Sequence, residues 1–595
     1  MTETCTLIEP PCPLERPWSR RHVHAPRGDE SFVADPPLAE ARAIAHGNGA
    51  NLAGAKADIQ GRELGFLRQW ARREVLRAAR DYTATLLSAE VPERQSDGNG
   101  AREGARESLP AAPHPAGIGG SSADAPDPEA TTIYVGGHQP TLFHPGVWVK
   151  NFVVGQLAQN DGAIGLNLIV DTDTLSGTAV RVPEGSRDAP GVAVVPFDAP
   201  RPRQPWEEAR IVDRGLFGSF AERVGATLGD WGFTPLIADF WPAALRRSAT
   251  GDSLAECLTA ARSAWERRWG CANLELPVSR LCTLEPFLWF AAHLLAHLPR
   301  FRKVYNEVLH EYRAVNRVRS RTHPVPDLRE NDGWIEAPFR MWRAGDEVRR
   351  RVFARQEGGQ VRLSDGENIF ATLPLAPGKD ACCAVKELQK LAGRGIRFRT
   401  RALTTTMFAR LCLADLFVHG IGGAKYDQMT DRITARFFGI CAPQFLTLSA
   451  TLQLPVPGFP VEQADERRLA RQLRELDYNS DRHLPPGPPA AARELVAEKQ
   501  RLVAEQNAAK RGAVRAAAAH GGGAGYGRFR ALQDVNRRLA VLTRDERRRI
   551  EEELLRTRQQ LAANAVLHDR DLAFCLYPPE KLQRFLDHVA RSAGG

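Results

Sequence analysis

The residues best suited to do chemistry lie in TTIYVGGHQPTLFHPGVWVKNFVVGQLAQNDGAIGLNLIVDTDT, residues 131–174. His138 and His144 share one short loop, where an imidazole can donate to an anionic group or a leaving group. Gly136 and Gly137 let the backbone turn sharply and approach a ligand, and Gln139 adds an amide donor. Backbone amides at the start of the following helix can receive an anion. Asp171 and Asp173 end the next apolar run, where carboxylates of α/β sheets meet ribose, amine or metal. The competing reading makes His138 and Gln139 loop caps and the aspartates caps of the next turn.

A second cluster is GIGGAKYD, from Gly420 to Asp427. Gly420, Gly422 and Gly423 form a candidate cradle, with the Lys425 ammonium and the Tyr426 hydroxyl beside it. Upstream, Arg394, Arg397, Arg399 and Arg401 alternate with Ile396 and Phe398, the pattern of a strand with one wet face. One of these arginines could grip a carboxylate or phosphate bidentately. His293 and His297 lie one helical turn apart, but Leu294 stands where a zinc-protease helix needs glutamate, so both read as packing residues. No GxSxG elbow, Walker loop or CxxC pair is present, and no metal site is expected.

These residues need elements to hold them. An apolar strand at 133–135, a helix from about 147 to 159 and a strand at 166–170 make one βαβ unit with its polar residues at the corner. Leu416 to His419 leads into a helix from about 425 to 438, a second corner of the same kind. Residues 206–330 read as a mainly helical insertion. WIEAPFRMWR, VRRRVFAR and GGQVRLSDGEN read as strands, with a turn at 357–359.

Residues 1–60 are aperiodic and rich in Pro, Gly and Ala, and are expected to lack order. Residues 61–90 form an amphipathic helix, 91–130 a flexible linker and 131–460 the core. Residues 455–490 read as Pro-rich and irregular. Residues 485–565 predict an antiparallel coiled-coil hairpin about the turn from His520 to Gly525, with dimerisation as its competing use. Residues 566–595 are expected to dock back on the core.

The chain has 595 residues and a formal charge of +9, mostly from arginine. A solvated arginine surface explains that charge; no zinc-finger, basic-zipper or RNP-like signature points to nucleic acid. Ten scattered cysteines suit a reducing cytoplasm. No apolar run is long enough to span a bilayer, so no membrane partner is expected.

The order of segments resembles a known family. GGHQPTLFHPG resembles the GGQQPGLFGGP segment that opens the core of the bacillithiol-biosynthesis cysteine-adding enzymes, and VDTDT falls where that family has an acidic strand end. RALTTTMFARLCLADLFVHGIGGAKYDQMTDRITARFFGICAPQFLTLSATL is similar to its second block, with Arg401, Gly420, Gly422, Tyr426, Phe438, Gly439 and Pro443 on matching positions. LYPPEKLQ resembles the segment that follows the family's coiled coil. The resemblance implies an α/β fold: a Rossmann-like, nucleotidylyl-transferase-type core with a helical insertion and a C-terminal coiled coil.

The activity it implies is amide formation between the cysteine carboxyl and the amine of glucosaminyl-malate. The partner is then a small-molecule substrate, with ATP or ADP as the candidate cofactor. His138 and His144 would stabilise developing negative charge, Asp173 would orient or deprotonate the amine, and Lys425 and Arg401 would hold carboxylate or phosphate. Gly136, Gly137, Gln139, Asp171, Gly420, Gly422, Gly423 and Tyr426 would line the substrate or nucleotide. The chain departs from the family at His138, at His144-Pro145, at Thr172 to Leu175, and at Ile421 to Gly423. Two alternatives stand beside the ligase: a nucleotidylyl transferase on the same fold, and a non-catalytic scaffold acting through its coiled coil.

Overall fold

The computed structural model describes residues 15, 18, 23–88, 131–229, 231–484, 486–515 and 522–594. The chain divides into two compact units, one of residues 1–182, 193–455 and 570–595, the other of residues 183–192 and 456–569. The expected linker at 91–130 lies outside the described residues.

The first unit is a mixed α/β structure around a six-stranded sheet. Its strands are β1 (Ser31–Asp35), β2 (Ile133–His138), β3 (Ile164–Ile169), β4 (Leu274–Pro277), β5 (Leu416–His419) and β6 (Phe445–Thr451). In space they run β1-β6-β5-β2-β3-β4. All neighbours pair in parallel except β1, which runs antiparallel to β6. Every residue of β5 and β6 is buried, as a parallel sheet covered on both faces requires. The chain leaves β2 for β3 on one side and returns to β5 on the other. The strand order therefore reverses between β2 and β5, and open sheets bind ligands outside the carboxyl ends of the strands at such a reversal.

The sheet is flanked by α1 (Ala41–Ala53), α2 (Leu64–Leu87), α3 (Pro145–Asn160), α4 (Leu254–Arg268), α5 (Glu285–Ala296) and α6 (Ile421–Ile433). Helix α2 buries Leu64, Leu67, Ala71, Val75 and Leu86, and so turns its apolar stripe inward. Two arginines on it, Arg68 and Arg72, pair with buried Asp415, whose Oδ2 also accepts from the Ile133 amide at 2.7 Å. That carboxylate ties α2 to the starts of β2 and β5. At the opposite end of the sheet, Pro145 pre-sets the first turn of α3 and Gly146 lets it approach β6. A Cβ at Gly146 would stand 2.0 Å from the Ala450 carbonyl oxygen.

A second, antiparallel sheet orders its strands Ile369–Leu373, Gln360–Ser364, Arg350–Glu357, Trp334–Arg343 and Ile396–Thr400. The turn after Glu357 uses Gly358 and Gly359, both at positive φ. Residues 570–595 also belong to the first unit. There the Phe574 ring lies 4.2 Å from that of Trp148, and the Phe574 amide donates to Phe143 at 2.8 Å.

Three expectations require correction. Residues 31–53 are not disordered: they supply β1 and α1, and Asn48 of α1 donates to the backbone oxygens of Asp415 and Gln444. The inward face of α1 carries Ala41, Ile44, Ala45 and Leu52 with Asn48 among them, so its apolar stripe is built mostly of small residues and broken by an amide. The strand expected at 133–135 runs on to His138, so Gly136 and Gly137 lie within β2, paired with β3, instead of opening a loop. Residues 455–490 contain a helix, Gln463–Tyr478, opened by a reciprocal Glu462–Asp465 capping box.

In the second unit the expected hairpin is four helices in two antiparallel pairs. Ala490–Arg515 packs on Gly522–Leu542 through Leu495, Val535 and Leu539. Gln463–Tyr478 packs on Arg544–Leu567 through Leu469, Leu476, Ile550 and Leu554. The long second helix of the expectation is interrupted at Thr543.

The close approach at Gly146 predicts that Gly146→Ala lowers the thermal midpoint, by an amount on the scale of core overpacking, about 1–3 kcal/mol or more. Gly422→Ala, which meets nothing within 4 Å, should leave the midpoint unchanged or raise it. Equal melting of Gly146→Ala and the parent would refute the packing argument.

Candidate functional site at the carboxyl edge of the central sheet

At the strand reversal the carboxyl ends of β2 and β5 each run into a helix. Gly420 is the N-cap of α6, with no side chain satisfying the helix's first amides. Gly423 allows the first turn of α6 to sit on the ring of His419, since a Cβ there would come within 2.8 Å of Nδ1. His419 is itself held by Asp427 through Nε2 at 2.7 Å, and Asp427 also receives Thr406 and Arg410, each at 2.7 Å. Burial, with Arg410 and Lys150 adding to it, holds the His419 pKa below its usual value against the pull of Asp427. The imidazole is therefore neutral at pH 7.

Between the two corners stands Lys150, 4% exposed. It projects from α3 so that Nζ donates to the Gly137 carbonyl at 3.3 Å and lies 3.9 Å from a Cβ placed on Gly420. Among the described residues no carboxylate forms an ion pair with it. Burial pushes its pKa down to about 8, so it remains mostly charged at neutral pH. An ammonium with one hydrogen-bond partner has donors left for a ligand.

Beneath α3 lies a fully buried polar network. Arg262 of α4 pairs with Glu266 at 2.7 Å and with Glu275 of β4 at 2.6 Å. Glu266 accepts from Trp148 Nε1 and Asn151 Nδ2, each at 2.6 Å, and Glu275 accepts from Asn167 at 3.0 Å. Asn151 Oδ1 in turn meets His138 Nε2 at 3.2 Å, and the Gln139 carbonyl meets His138 Nδ1 at 2.9 Å. Burial, then Lys150 and Arg262, hold His138 well below its ordinary pKa. His138 thus lies between α3 and the loop, and its single N–H donates to one of these two acceptors, the Gln139 carbonyl or Asn151 Oδ1. His144 is the N-cap of α3 and faces Asp571 at 3.9 Å. His138, the last residue of β2, and His144, the cap of α3, therefore turn to different partners.

At the end of β3 the two aspartates separate. Asp171 is buried and accepts from the Ser279 amide at 2.9 Å and from its hydroxyl; burial and Glu207 raise its pKa to about 7. Asp173 turns outward, receives the Gln139 side-chain amide, and pairs with Arg349 at 3.0 Å. It lines a cavity of about 380 Å³ together with Tyr305, Arg340, Arg349 and Arg401. Of the strand arginines, Arg399 makes the bidentate grip, to Glu207 at 2.9 and 2.8 Å, while Arg401 pairs with buried Glu336. Half-buried Tyr426 has its phenol pushed up to about 12 by burial, with Asp427 and Asp173 adding to it.

The structure thus brings Gly136, Gly137, His138 and Gln139 to the β2 corner, Gly420, Gly422 and Gly423 to the β5 corner, and Asp173 with Arg401 to one cavity. Lys425 is exposed on α6. Sequence reasoning passed over Lys150, Arg340 and Arg349. Lys150 had a signal, as the single charge in the apolar run VWVKNFVVG. No group of three or more His, Cys, Asp or Glu side chains among the described residues could hold a metal ion. No described helix is long and apolar enough to cross a membrane.

Removing Arg262 would leave two buried carboxylates facing each other, so Arg262→Met should cost about 3–5 kcal/mol in denaturant unfolding. Adding Glu275→Gln should recover part of that loss. A single variant as stable as the parent would show that the network does not hold α3 to α4. Compared with known proteins, the chain matches no family model, and no curated protein resembles it significantly.

Proposed function

We propose that this chain is an amide-forming ligase that joins an amino acid, through its carboxyl, to the amine of a sugar-type acceptor over the carboxyl ends of β2, β3 and β5. The observation that carries the reading is Lys150, a buried cation without a carboxylate partner at the strand reversal, beside the uncapped amides of α6. Burying such a charge is unfavourable, and an arriving anion compensates it. The strand order supports a Rossmann-like core, and the two antiparallel helix pairs support a coiled-coil arm.

In this reading Lys150 and the first amides of α6 receive the donor's carboxylate, or the phosphate that activates it. Positive charge there stabilises the oxyanion as the amine adds to the carbonyl carbon. ATP or ADP is the fitting source of activation, because the carboxylate oxygen must leave as part of a better leaving group. Asp173, oriented by Gln139 and Arg349, accepts hydrogen bonds from the acceptor amine and takes its proton. Neutral His138 fixes the loop, holding the Gln139 backbone against α3.

The test is Lys150→Met. A lysine whose folded pKa lies near 8 and whose unfolded pKa is 10.5 binds fewer protons when folded across that window. Stability therefore rises as pH climbs from 8 to 10.5, and the full penalty is present below pH 8. Lys150→Met should raise the free energy of unfolding at pH 7 by up to about 3 kcal/mol, at roughly 1.4 kcal/mol per pKa unit, and with it the melting temperature. The same variant should lose the stabilisation that ATP or ADP gives the parent in a thermal-shift titration. In the parent that stabilisation should fade above pH 8. A variant that melts lower and still responds to these ligands would remove the basis of the proposal.

A further inference from the structure

The cavity beside Asp173 holds more positive charge than its own residues neutralise. Arg340 lies on the strand Trp334–Arg343, and among the described residues its side chain makes no ion pair and no hydrogen bond, Glu336 being the one carboxylate that attracts it. Burial, followed by Arg401 and Arg349, pushes its pKa down to about 10. Arg401 donates to Glu336 through Nη2, yet its Nε and Nη1 are buried with no partner. Arg351 meets Glu336 at 3.4 Å, and Arg349 pairs with Asp173. Four guanidinium groups thus share two carboxylates.

Guanidinium nitrogens left unsatisfied inside a protein cost free energy, and a surplus of two positive charges around an enclosed space repels itself. Neither is removed by any group within the fold. A ligand with planar oxyanion groups removes both, because the guanidinium fork matches the spacing of carboxylate or phosphate oxygens. The rest of the wall supplies apolar contact from Tyr305, Pro326, Pro338 and Leu403. The volume of about 380 Å³ is at the lower end of small-molecule sites.

We propose that this cavity is a binding site for a small doubly charged oxyanion, a dicarboxylate or a phosphomonoester, held by Arg340 and Arg401. The inference deepens the ligase reading by giving the acceptor an anionic handle within reach of Asp173, and it rests on that reading only for the name acceptor. The site itself is independent of Lys150. Charge count excludes a neutral sugar as the preferred occupant and favours a dianion over a monoanion. Asp173 at the rim leaves room for an amine on the same ligand.

The experiment is isothermal titration of the full chain with succinate, inorganic phosphate and acetate at pH 7. We expect one of the two dianions to bind with one-to-one stoichiometry, and acetate to bind at least tenfold more weakly. Whichever dianion binds identifies the source. Arg340→Gln should weaken that binding at least tenfold while raising the melting temperature, since an unpaired cation is removed. Arg340→Lys should recover part of the affinity. Lys150→Met should leave the affinity within twofold. If neither dianion binds, or if Arg340→Gln binds like the parent, the proposal is overturned. If Lys150→Met abolishes binding and Arg340→Gln does not, the anion sits at the strand reversal, and this cavity is no site while the ligase reading stands.

Discussion

The arrangement at the carboxyl edge depends on one buried guanidinium. Arg262 lies between Glu266 and Glu275, with all three side chains at most 5% exposed. Charges removed from water are tolerated only when paired and hydrogen-bonded, and here the partners span α3, α4 and β4. Glu275 fixes the edge strand β4, Glu266 suspends α3 by Trp148 and Asn151, and Asn151 positions His138. Lys150 sits on the same helix, one residue before Asn151. Its aim toward Gly137 is therefore set by charges on the far side of α3.

The two ends of the sheet treat charge in opposite ways. At the amino ends of β2 and β5, Asp415 is met by Arg68, Arg72 and a backbone amide, and its acceptors are well supplied. At the carboxyl ends, Lys150 forms no ion pair among the described residues, and neither does Arg340 in the cavity beside the end of β3. A fold selected only for stability would place a carboxylate against each, or exchange them for apolar groups. The asymmetry follows the helix termini, because α3 and α6 both point their amino ends, with their partial positive charge, toward the same edge.

Much of this was legible in the sequence. The βαβ unit and the second corner at Gly420 follow from short apolar runs ended by glycine and polar residues, and the helix at 64–87 from the period of its one buried face. The glycine turn at 358–359 was readable for the same kind of local reason. What escaped was set by distant partners. Residues 31–53 gain order from β6 and from backbone oxygens near residues 415 and 444. The four-residue β4 gains it from Arg262 and Asn167. In the site, both histidines were visible, but their partners, Asn151 and Asp571, lie on other segments. Lys150 is a cation inside an apolar helix, and only the three-dimensional structure shows that no acid answers it.

The antiparallel pairing of β1 with β6 has a consequence for how the molecule assembles. Ser31 lies opposite Thr451, so β1 cannot make this pairing until β6 has been synthesised. Before β1 pairs, β6 has an open edge of unpaired amides and carbonyls, the kind of surface that recruits other chains. Contacts of such long sequence separation form slowly, because a very large loop must close before they contribute. The amino-terminal segment thus serves as the closing stitch of the sheet. Until that strand is fastened, the sheet keeps one edge that a strand of another chain could occupy.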